Sequence, residues 1–116
     1  MDVNIWALAK DISIKHLLLM LRDDFGSGVF RIIESEPVGD CAIRLANSVQ
    51  SIVKIYIFTY GQAEGRYGAH IEYPDLRDTA YSDTVDILDD IDYEELRELV
   101  EASLDITPLI KSAVRR

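Results

Sequence analysis

The sequence predicts an α+β fold made of an N-terminal helix, an antiparallel meander of four or five strands, and C-terminal helices. Three observations carry that prediction. Apolar residues recur at helical spacing before Gly26. From Val29 to Tyr73 the period shortens to two, and turn residues separate the segments with no helical pattern between them. Helical spacing then returns after Asp92.

In the first segment Ile5, Leu8, Ala9 and Ile12, then Ile14, Leu17, Leu18, Leu21 and Phe25, form a broad stripe. Their spacing predicts a helix from about Asn4 to Asp24, which either Asp11 or Ser13 could interrupt by starting a fresh turn. Gly26 and Gly28 stop it. "VFRIIESE" and "CAIRLANSV" read as two strands joined through "PVGD". "SIVKIYIFTY" places Val53, Ile55 and Ile57 on one face and Lys54, Tyr56, Phe58 and Tyr60 on the other. After "GQAEG", the stretch "RYGAHIEYP" alternates in the same way and completes a second hairpin. "TVDIL" is a candidate fifth strand, at an edge guarded by charge. Asp92 with Glu95 forms a capping-box pattern before the stripe of Leu96, Leu99, Val100 and Leu104. Thr107 and Pro108 read as the cap and first position of a last short helix.

A chain of 116 residues with 48% hydrophobic and 28% charged residues fits one globular domain spanning residues 1–116. No apolar run exceeds the five residues of "LLLML", too short for a spanning helix or a secretory leader. With Cys41 as its one cysteine, the expected setting is cytoplasmic, with no membrane partner.

The charge is uneven. Residues 72–105 hold thirteen acids against two bases, whereas residues 1–71 hold eight against seven. A field of that sign repels nucleic acid and anionic membrane, and it attracts basic protein surfaces. The expected partner is therefore a basic protein and not DNA or RNA. The residues expected to meet it are Asp83, Asp86, Asp89, Asp90, Asp92, Glu94, Glu95 and Glu98.

Catalytic signatures do not compete with this reading. Cys41 alternates with Ile43 and Leu45, as a small buried residue would, and neither His16 nor His70 has a partner at ligand spacing. "GSG" at 26–28 lacks the rest of a phosphate loop, and the carboxylates at 90, 92 and 94 lack the glycine that a calcium loop needs at its sixth position. No catalytic residue, metal or cofactor is expected. The aromatic strip Tyr56, Phe58 and Tyr60 is a second candidate surface, for a homodimer or another partner, if the two helices do not cover both sides of the sheet.

The expected function is that of a small acidic, non-enzymatic interaction module, in the manner of an inhibitor or immunity-type antagonist. Two alternatives stay open. One is a dimeric ligand-binding domain or small enzyme with a pocket lined by Tyr67, His70, Glu72 and Tyr73. The other is an acidic secretion-type chaperone, against which the uninterrupted meander argues.

Overall fold

The computed structural model describes residues 4–33, 39–49, 53–73 and 86–106, with the side chain of Asp86 outside that set. The "PVGD" turn in part, Asp83 and the helix expected after Thr107 lie outside the described residues.

The long helix expected over 4–24 is two pieces. A 3-10 turn, Ile5–Ala7, is capped by Asn4, and helix α1, Ile12–Phe25, starts afresh behind Asp11. Asp11 breaks the run because its carboxylate takes the Ser13 amide at 3.0 Å while its own N–H bonds the Asp40 carbonyl at 3.0 Å. The Lys10 ammonium adds a bond to the Gly39 carbonyl at 3.0 Å, tying the interruption to a chain turn 29 residues away. α1 ends at Gly26, whose φ of 103° suits a residue without a Cβ.

Strands β1 (Phe30–Ile32), β2 (Ala42–Asn47), β3 (Lys54–Phe58), β4 (Tyr67–Glu72) and β5 (Asp86–Ile91) form an antiparallel meander in sequence order. The fifth strand exists; of "TVDIL", Thr84 and Val85 lie outside the described residues, and the strand runs on past it through Asp89 and Asp90 to Ile91. Its pairing with β4 slips between Tyr67 and Ala69, and Asp90 takes a φ of 56° there, so the strand bulges just before the chain turns into helix α2, Tyr93–Leu104. Asp92 caps α2 with the full capping box: Glu95 N–H to Asp92 at 2.9 Å and Asp92 N–H to Glu95 at 3.0 Å.

Alternation decides what each strand buries. Phe30, Ile43, Leu45, Ile55, Ile57, Tyr67, Ala69 and Ile71 point to one side, where they form a single cluster with Ile14, Leu17, Leu18, Leu21 and Phe25 of α1 and Leu96, Val100 and Leu104 of α2. The helices are also joined to each other. Asp24 of α1 accepts the Tyr93 hydroxyl at 2.5 Å and lies 3.8 Å from the Arg97 guanidinium, both on α2. Both helices therefore lie on the same face of the sheet, and among the described residues no helix covers the other.

Candidate functional site

Three places hold chemistry. The first is the corner where β5 turns into α2. Asp89, Asp90, Asp92, Glu94, Glu95 and Glu98 are all exposed along it. Asp86 belongs to the same strand, paired with Ile71. Several of these carboxylates also hold the structure together. Arg66 pairs with Asp90 at 2.9 Å and donates a second bond to the Asp90 carbonyl. Gln62 clamps the same bulge, donating to Asp89 at 2.9 Å and accepting the Asp90 N–H at 2.9 Å. Asp92 and Glu95 serve the cap, and Glu94 pairs with Arg97 at 2.8 Å. Among the described residues Glu98 makes no hydrogen bond or ion pair, which leaves it and the outer faces of Asp89 and Glu94 as the groups least committed to the fold. Gln62 and Arg66 carried no signal in the sequence, because their role depends on the β3–β4 loop reaching across β4 to β5.

The second place is the face of the sheet opposite α1 and α2, on which no helix lies among the described residues. The register lays out its side chains in three rows. One row runs Arg31, Ala46, Lys54, Glu72; the next Arg44, Tyr56, His70, Ile87; the third Ala42, Phe58, Gly68. Ile33 extends the middle row, since its N–H bonds the Arg44 carbonyl at 2.9 Å and it lies one residue beyond the inward Ile32. The aromatic groups lie down on the sheet and on each other. Phe58 stacks against Tyr60 at 4.6 Å and meets His70 edge-on at 5.4 Å, while the Arg44 guanidinium sits 5.2 Å above the Tyr56 ring. Arg44 also makes a two-pronged pair with Glu72, at 2.7 and 3.1 Å. Tyr56 and Tyr60 share a hydrogen bond of 3.1 Å; partial burial first, then this bond, push the Tyr56 phenol up to about 12.

The sequence placed Tyr56, Phe58 and Tyr60 on one strand face and left open whether helices bury it. The structure differentiates them: Tyr60 is 53% exposed, whereas Phe58 is only 9% exposed beneath its neighbours. Ile87, which the sequence did not single out, is the most exposed large apolar side chain of the face at 65%.

The third place is a cleft of about 560 Å³ between the start of α1 and the β3–β4 loop, with Ser13, His16, Cys41, Thr59, Glu64 and Tyr67 among its walls. Its polar groups are largely engaged with each other. Ser13 Oγ donates to Asp11 at 2.6 Å, and this bond, then the one from the Ser13 amide, lower the Asp11 carboxyl pKa; the same hydroxyl shares a 2.8 Å bond with Thr59. The pocket anticipated from Tyr67, His70, Glu72 and Tyr73 does not form as one lining. Tyr67 points inward, toward the helices, while His70 and Glu72 belong to the opposite face, as alternation along one strand requires.

Among the described residues, no group of three or more His, Cys, Asp or Glu side chains is arranged to hold a metal ion, and no helix is long and apolar enough to cross a membrane. No protein family, characterised protein or solved structure matches the chain.

Proposed function

We propose that the chain is a small non-enzymatic interaction module that offers its β5–α2 corner to a basic protein surface. The supporting observation is the arrangement of six exposed carboxylates between Asp89 and Glu98 on one continuous strand, cap and first helical turns. Carboxylates so placed match lysine and arginine groups on a partner, and their combined field steers the encounter before contact.

The test measures association with an immobilised Arg- and Lys-rich peptide. The variant Asp89→Asn, Glu94→Gln, Glu98→Gln removes three charges while sparing the Arg66–Asp90 pair and the Asp92 cap. Its on-rate should fall about tenfold at low salt, and the wild-type rate should fall as ionic strength rises. Rates indifferent to both changes would refute the reading.

A further inference from the structure

Beyond the acidic corner, we propose that the cleft between α1 and the β3–β4 loop binds a small uncharged aromatic molecule, recognised by a hydrogen bond from the Tyr67 hydroxyl to a carbonyl oxygen or ring nitrogen. Its volume of about 560 Å³ lies within the roughly 300–1,000 Å³ of small-molecule sites. Tyr67 carries the inference. The residue is 6% exposed, and its hydroxyl makes no hydrogen bond among the described residues. Burial without a partner is costly for such a group. Among those residues the one side-chain nitrogen or oxygen that is wholly sealed and unpartnered is Arg97 Nε. The Tyr67 oxygen therefore meets open space, and the cleft is the open space that Tyr67 lines.

The rest of the wall shows why recognition falls to this residue. Ser13 is held between Asp11 and Thr59, at 2.6 and 2.8 Å. Gln62 and Arg66 are turned onto Asp89 and Asp90. A ligand competing for these groups would undo the restart of α1 or the bulge of β5. His16 and Glu64 are exposed and stay hydrated when the cleft holds no ligand. The buried Tyr67 phenol gains a partner from what enters.

The wall also sets the class of ligand. Burial pushes the Tyr67 phenol up, so it is protonated at neutral pH and donates, and the ligand brings the acceptor. That acceptor is uncharged. Asp11 and Glu64 stand on the wall, and the Arg66 guanidinium that would balance an anion is already paired with Asp90 at 2.9 Å. The body is aromatic: His16 and Met20, one turn apart on α1, line the same side of the cleft, and a thioether favours ring edges. Ile12, 53% exposed, adds apolar surface beside them.

Heteronuclear NMR of the labelled chain titrated with benzamide tests this, beside benzoate as the anionic counterpart and toluene as the counterpart without an acceptor. Benzamide should give saturable amide shifts within 13–20 and 63–67, the stretches that line the cleft. Toluene should bind about fivefold more weakly, and benzoate should give no such shifts. Tyr67→Phe removes a hydroxyl that bonds nothing in the fold, so its melting temperature should match the wild type. It should weaken benzamide about fivefold, the effect of one lost hydrogen bond, and leave toluene unchanged. The absence of saturable benzamide shifts at these positions overturns the proposal. So does a Tyr67→Phe variant that binds benzamide as tightly as the wild type or melts well below it, and so does benzoate binding as tightly as benzamide. None of these results bears on the peptide on-rate that tests the acidic corner.

Discussion

Gly68 shows how one residue shapes a surface. It sits opposite Phe58 in the β3–β4 register, and a Cβ at this position would overlap the Phe58 ring. The ring lies flat because the glycine makes room for it, and Tyr60 can then stack above. Gly68→Ala should cost about 2 kcal/mol by forcing the ring off its site, and adding Phe58→Leu should recover part of that loss in chemical denaturation. Asp92 is the second such residue. Its carboxylate caps α2, so Asp92→Ala should lower stability by about 1 kcal/mol, seen as a drop of a few degrees in Tm, with Glu95→Gln costing less because the amide still accepts the Asp92 N–H. The capping box was legible from the order of Asp92 and Glu95 alone. Gly68 was not, because nothing in "RYGAH" says which side chain crosses the strand above it.

Helices and strands were legible wherever a local signal sufficed. The change of period at Val29 and its return at Asp92 mark the sheet and α2, and Gly26 marks the end of α1. Less legible were the break at Asp11, which the sequence offered only as one of two possible restarts, and the reach of β5 beyond "TVDIL" into the acidic stretch. Asp11 wins a local hydrogen bond and a distant one to Asp40, and the apolar spacing on either side of it continues unbroken through the gap. β5 carries "DILDDI", in which acids interrupt the apolar alternation, and the strand forms because β4 supplies pairing and Gln62 and Arg66 hold its bulge. The joint between α1 and α2 predicts an alkaline response. Burial, then the bond to Asp24, push the Tyr93 phenol above its ordinary range, and the Tyr56 phenol stands at about 12. Both groups hold their proton more tightly folded than unfolded. Their contribution is therefore complete below about pH 10 and is lost as pH rises through the folded values. Denaturation midpoints should be flat approaching pH 10 and fall above it, with Tyr93→Phe reducing the slope; absorbance at the tyrosinate band should show three phenols ionising late, since burial raises Tyr67 as well.

Among the described residues the molecule has two layers. Helices on one side bury the inward residues of the sheet, the other side carries the rings of Tyr56, Phe58 and Tyr60 beside the Arg44–Glu72 pair, and the exposed acids of 89–98 gather where β5 runs into α2. The acidic bias of residues 72–105 was visible in the sequence because charge needs no fold to be counted. Which carboxylates of the strand end are committed to the structure was not visible, since Arg66 and Gln62 reach them only once the β3–β4 loop lies beside β5; the Glu94–Arg97 pair, three residues apart on α2, is local. Likewise, alternation put Tyr56, Phe58 and Tyr60 on one face, but only the shared position of the two helices shows that this face is the one left uncovered by them. The most direct test of the acidic corner is a heteronuclear NMR titration of the labelled protein with an Arg- and Lys-rich peptide. The account predicts that the largest amide shifts fall between Asp89 and Glu98 and shrink with added salt; shifts centred on the β2–β3 face or the α1 cleft, or none at all, would contradict it.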